Sequence, residues 1–118
     1  MRNILEYIDK NRNYKGNAQI EREVISKVLS QEEIQRVEQI VRKTLKKSGL
    51  SDEKIDSNLL FEANKELFPL YIERVRQSLT QEKVSEIQTL YPELSQDDAV
   101  TRYIQKEYFT QRDELKNE

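Results

Sequence analysis

The chain has 118 residues, a formal net charge of −2, and neither cysteine nor histidine. A chain of this length has room for one hydrophobic core, so we predict that residues 1–118 form a single helical domain. The missing residue types exclude disulfide bonds, thiolate metal sites and the usual zinc, copper and non-haem iron ligand sets.

The predicted fold class is all-α, an irregular bundle of about 5–6 helices. Only two glycines and two prolines are present, which leaves few of the turns that a sheet protein needs. Helix starts share one pattern, in which a leucine precedes a Ser or Thr and acidic residues follow. The capping positions are Ser30, Ser51, Thr80 and Ser95. Each hydroxyl can accept a hydrogen bond from an unpaired backbone N–H, and the acids complement the positive end of the helix dipole.

The first predicted elements lie before residue 50. We expect residues 1–16 to form a short N-terminal helix or arm. Apolar residues then recur at helical spacing over residues 20–28 and again over residues 34–45. Gly49 follows the second stripe, and a glycine just past the end of a helix is typical of a C-terminal cap.

A central helix is predicted over about 52–79. Its apolar residues, among them Leu67 and Phe68, cover all of the helix circumference except a narrow polar strip. Such a helix is normally surrounded by others, so we place it at the centre of the bundle. Pro69 removes a backbone donor and disfavours helix at the preceding residue. The result is either a kinked continuous helix, which we predict, or two helices that meet at Pro69.

Two helices are predicted to complete the chain. The first starts after Thr80 and ends at Pro92, and the second starts after Ser95 and carries an inward stripe that includes Ile104 and Tyr108. Residues from about 110 to 118 are expected to form a frayed polar tail.

The chain is predicted not to be an enzyme, with no catalytic residue, no cofactor-binding residue and no metal ligand. Adjacent acids such as Asp97 and Asp98 fall in the first turn after a cap, where the helix dipole accounts for them. No phosphate-binding loop, dinucleotide fingerprint, calcium loop or nucleophile elbow is present. The sequence therefore predicts no cofactor.

The concentrated charge in the chain is basic. Arg36, Lys43 and Lys47 line up on a helical wheel opposite the apolar stripe of residues 34–45, and they form a possible phosphate-contacting face. The plainer interpretation is that Lys43, Lys46 and Lys47 occupy the last turn before Gly49, where cations complement the helix dipole. A segment with helix–turn–helix spacing over residues 80–109 gives a second nucleic-acid hypothesis, but acids at its second helix would repel phosphates.

Phe109 is the candidate partner-binding residue. It lies about 180° from Val100 on the wheel of the last helix, so it should be exposed unless another helix or chain covers it. Tyr103, on the other side of the inward stripe, could extend the contact.

The leading functional hypothesis is a non-enzymatic helical module for protein–protein interaction, acting as an adaptor, inhibitor, chaperone or regulatory subunit. A homodimer is one option. The alternative is a nucleic-acid-binding regulator that uses the Arg36–Lys47 helix face or the helix–turn–helix-like segment over residues 80–109. No long apolar run is present, and the start of the chain does not fit a secretory signal. We therefore expect a cytoplasmic protein with no membrane partner.

Overall fold

The computed structural model describes residues 17–117, which contain five α-helices and no strand. The all-α prediction is confirmed. The helices are α1 over residues 17–26, α2 over Gln31–Lys47, α3 over Asp52–Ser78, α4 over Gln81–Leu90 and α5 over Gln96–Lys116. The arm or short helix predicted for residues 1–16 lies outside the described residues.

The helix starts were predicted correctly, because each depends on chemistry within one turn of the chain. The hydroxyl of each capping residue accepts a hydrogen bond from the backbone N–H three residues on, at 3.2 Å for Ser30, 3.4 Å for Ser51, 3.1 Å for Thr80 and 3.2 Å for Ser95. At Ser30 the cap is reciprocal, since its backbone N–H donates to Glu33 Oε1 at 3.2 Å. This pair forms a complete capping box.

Gly49 ends α2 as predicted. Its φ of +91° is a backbone conformation that other residues adopt only with strain. The Gly49 N–H donates to the carbonyl of Lys46 at 3.0 Å, and the Leu50 N–H donates to the carbonyl of Leu45 at 3.3 Å. These two bonds form a Schellman motif, which turns the chain back so that α3 packs against α2.

Helix α3 is the centre of the fold. It is one continuous 27-residue helix with Pro69 inside it, so the alternative of two helices meeting at Pro69 is wrong. Helices α2 and α5 pack against it, and α4 packs against α5. Leu67 is fully buried, in the core that these helices share. None of the helices in residues 17–117 is long and apolar enough to cross a membrane.

The structure departs from the sequence-based picture at two places. Helix α3 is less enclosed than predicted, because the neighbouring helices cover only part of the circumference of α3. Leu70 on this helix is 45% exposed. The expected frayed tail is also absent up to residue 116, since α5 continues to Lys116. Two contacts hold this last part in place. Arg112 Nη1 lies 3.3 Å from Glu21 Oε1 on α1, and Leu115 packs against the core.

Candidate functional site

Four aromatic rings meet where α5 crosses α3, and we call them the aromatic cluster. Ring centroids are 4.6 Å apart for Phe68 and Tyr108, 5.2 Å for Tyr71 and Tyr108, and 5.2 Å for Tyr108 and Phe109. The rings are tilted or edge-on, the arrangements that aromatic pairs prefer. Tyr71 and Tyr108 are buried, and Phe109 is 40% exposed. The cluster therefore runs from the core to the surface.

The position of Phe109 follows from the register of α5. Tyr108 continues the inward stripe of Val100 and Ile104, and the next residue is rotated by about 100°. That rotation brings Phe109 to the flank of α5 that meets α3, where its ring lies 6.0 Å from that of Phe68. Phe109 is therefore only partly exposed, because α3 covers part of its ring.

Phe109 stands at the mouth of an open cleft of about 460 Å³, which we call the aromatic cleft. Its lining combines aromatic rings with polar groups: Glu21, Phe61, Asn64, Lys65, Phe68, Tyr108 and Phe109. Cations lie at its edge. Arg112 is stacked 4.8 Å from the Phe109 ring centroid, and Lys65 Nζ lies 4.5 Å from the Phe61 centroid. The aliphatic stem of Lys65 adds apolar area while its charge stays largely in water, whereas the guanidinium of Arg112 is also paired with Glu21.

Asn64 is a polar residue that hydrogen bonds hold in place in the wall of this cleft. It is 4% exposed, its Nδ2 donates to the Ala18 carbonyl at 2.8 Å, and its Oδ1 accepts from Arg22 Nε at 2.9 Å. The buried amide thus has partners on α1, as buried polar groups require. Sequence reasoning missed Asn64. The available signal was a poor helix former between Ala63 and Lys65, in the middle of a long helix.

The two buried tyrosines of the cluster are not bases at neutral pH. Burial raises the pKa of Tyr108 above its ordinary value, and it raises the pKa of Tyr71 as well. Both hydroxyls therefore stay protonated in neutral solution. Chemically, the cleft offers apolar contact area together with the neutral polar groups of Asn64 and Tyr108 and the charged groups of Glu21 and Lys65.

Tyr103, the second predicted contact residue, lies elsewhere. It is half-buried against the core, and Lys83 Nζ of α4 lies 5.3 Å from its ring centroid. Tyr103 therefore faces α4, whereas Phe109 faces α3. The structure does not bring these two residues into one site.

The predicted basic face is exposed. Arg36, Lys43 and Lys47 all point into solvent from α2. The helix–turn–helix-like segment is also present, as α4 and α5 joined by residues 91–95. Its second helix starts with exposed acids, as the sequence indicated.

Within residues 17–117, no group of three or more acidic, histidine or cysteine side chains could hold a metal ion. Comparison of the chain with family models, with curated proteins and with solved structures gave no match.

Proposed function

We propose that this chain is a non-enzymatic helical module for protein–protein interaction, acting in the cytosol, and that its contact surface is the aromatic cleft. One observation carries the proposal. Phe109 is a large apolar ring, 40% exposed, at the mouth of a cleft lined by further rings. Aromatic anchors in such positions are typical of the centre of interfaces.

The aromatic cluster gives Phe109 the rigidity that an anchor needs. Its ring is held on one side by Tyr108, on another by Phe68, and Arg112 is stacked on it. A side chain that is ordered before binding loses little rotamer entropy when a partner covers it. The favoured ligand is an apolar side chain of a partner protein, inserted beside Phe109.

The size of the effect follows from the exposed area. A phenylalanine offers on the order of 200 Å² for burial, and Phe109 has 40% of its surface still exposed. Covering that area should contribute about 2 kcal/mol to association, or a factor of about 30 in affinity.

The experiment starts by placing a photo-cross-linking phenylalanine analogue at position 109 and identifying the protein that it captures from native lysate. Binding of that protein is then measured for the wild type, for Phe109→Asp and for Leu90→Asp. Leu90 is a matched control, because it is 63% exposed and lies on α4. We expect Phe109→Asp to weaken binding by about 30-fold and Leu90→Asp to leave it unchanged. Equal binding by all three folded proteins would overturn the proposal.

Nucleic-acid binding is the second candidate, and the exposure of Arg36, Lys43 and Lys47 is the observation that favours it. Anisotropy titrations with duplex and single-stranded oligonucleotides test it. Three phosphate contacts on a duplex predict that the logarithm of the binding constant falls with the logarithm of salt concentration with a slope of about −3. The absence of measurable binding at low salt would dismiss it.

A further inference from the structure

A second apolar surface lies between α2 and α3, away from the aromatic cluster. It is a groove of about 410 Å³, and its apolar lining includes Val37, Ile40 and Leu70. Ile40 is 61% exposed and Leu70 is 45% exposed. We call it the α2–α3 groove. Exposed apolar residues that adjoin one another in this way mark interaction surfaces more often than isolated ones do.

On the α2 side, the groove is bordered by positive charge. Ile40 is preceded one turn earlier by Arg36, and it is followed three and seven residues later by Lys43 and Lys47. At about 100° per residue, these three cations lie beside Ile40, on the side away from the groove. All three are exposed, and we call them the basic rim.

On the α3 side, residues at helical spacing from Leu70 carry negative charge. Leu70 is preceded one and two turns earlier by Glu66 and Glu62, and it is followed three residues later by Glu73. These three acids form the acidic rim, and Glu62 and Glu66 also line the groove.

The acids of this rim are available for new partners. Glu62 contacts Lys65 at 3.5 Å and Glu73 contacts Arg76 at 3.6 Å, both as i,i+3 pairs at the surface. Such pairs contribute little to stability, so a partner can replace them.

The two rims run antiparallel and overlap over part of their length. Near one end of the helix pair, Arg74 Nη2 lies 2.6 Å from Glu33 Oε2, and near the other end Arg42 Nη2 lies 2.9 Å from Asp56 Oδ1. The start of α2 therefore lies beside the end of α3. In this register Arg36 is close to the height of Glu66, and Lys43 lies within about one helical turn of Glu62.

We propose that the α2–α3 groove is the contact face of a homodimer, with a second copy of this chain as its occupant. A two-fold axis along the groove places the basic rim of each copy against the acidic rim of the other. It also brings the Ile40 and Leu70 surfaces of the two copies together between the charged rims. A two-fold axis across the groove would oppose like charges, which is unfavourable. The charge pattern thus selects both the occupant and its orientation.

The first experiment is sedimentation equilibrium on three folded proteins: the wild type, Ile40→Asp and Leu90→Asp. Ile40→Asp places a carboxylate in the apolar centre of the contact, so its dimer dissociation constant should rise by about tenfold or more. Leu90→Asp adds the same charge at an equally exposed position outside the groove, and it should dimerise like the wild type. A wild type that stays monomeric up to millimolar concentration, or an Ile40→Asp dimer of unchanged affinity, would overturn the proposal.

The second experiment tests the orientation by exchanging charges. Reversing the basic rim alone, with Arg36→Glu and Lys43→Glu, should weaken the dimer, and so should Glu62→Lys with Glu66→Lys. All four changes in one chain should restore it, because each reversed rim then faces an opposite one. If the fourfold variant is as weak as either double variant, the two rims do not face each other and the proposed orientation is wrong.

This inference stands apart from the proposed function, because it uses a different surface. Phe109→Asp should leave the dimer intact, and Ile40→Asp should leave capture at position 109 intact. The two proposals can therefore fail separately. If the groove binds a helix of another protein instead, Ile40→Asp will abolish that complex while the wild type alone remains monomeric, and the dimer is then refuted.

Discussion

Truncation of a single leucine tests whether α3 is the buried centre of the bundle. Leu67 is fully buried. Leu67→Ala removes three carbons from the core, which costs about 2.5 kcal/mol in transfer free energy, and the remaining cavity adds to this. We expect the free energy of unfolding to fall by about 3–4 kcal/mol, a large part of the total stability of a domain of this size.

Leu70 provides the matched control on the same helix. It is 45% exposed, so Leu70→Ala loses about half of the transfer term and leaves no enclosed cavity. Its cost should be about 1 kcal/mol. Both substitutions replace Leu by Ala inside α3, so the difference between them isolates burial from helix propensity.

Urea denaturation followed by far-UV circular dichroism measures both costs. The variants are best compared in the Ile40→Asp background, so that self-association does not contribute to stability. A Leu67→Ala cost below about 1 kcal/mol, or equal costs at the two positions, would refute the placement of α3 at the centre.

Three further predictions concern helix ends and the Glu33 ion pair. Ser95→Ala should cost about 1 kcal/mol through the lost cap of α5, whereas Ser57→Ala, at an exposed position within α3, should be nearly neutral in the same urea titration. Gly49→Ala should cost about 1 kcal/mol, because a methyl group meets no steric obstacle there but φ is +91°; an unchanged denaturation midpoint would contradict the strain argument. Hydrogen bonds from Arg74 and from the Ser30 backbone lower the pKa of Glu33 from 4.5 to about 2. Because folding lowers this pKa, the ionised carboxylate stabilises the fold fully at pH values above its unfolded-state pKa of 4.5. The stability difference between wild type and Arg74→Gln should therefore be full at neutral pH and shrink as pH falls from 4.5 to about 2. A difference independent of pH would show that the pair does not stabilise the fold.

The parts of the fold that could be predicted from the sequence are those decided within one helical turn. A capping serine such as Ser30 needs only its own hydroxyl and an N–H three residues away. Gly49 is similar, because its role depends on a local backbone angle. These features therefore follow from neighbouring residues in the chain.

The parts that escaped prediction depend on which elements meet in space. The helical wheel of α5 places Phe109 opposite Val100, but it contains no information about the ring of Phe68 on α3. Asn64 is buried because Ala18 and Arg22 of α1 satisfy its amide, and those partners are more than 40 residues away in the chain. The length of α5 likewise depends on a contact between Arg112 and α1.

Prediction from the sequence has the same limit for exposed apolar residues. A helical wheel places Leu70 on an apolar side of α3, and only the packing of α2 shows that this side is an open groove. The α2–α3 groove and the aromatic cleft both lie between helices, so neither surface is visible in a single helical segment.

The interaction surface at the aromatic cleft is the central claim, and a binding isotherm tests it most directly. The partner captured at position 109 is titrated with the wild type, with Phe109→Asp and with Leu90→Asp, after circular dichroism has shown that all three are folded. We predict a Kd about 30-fold higher for Phe109→Asp and an unchanged Kd for Leu90→Asp. The same Kd for all three proteins would contradict the claim, because Phe109 would then lie outside the interface.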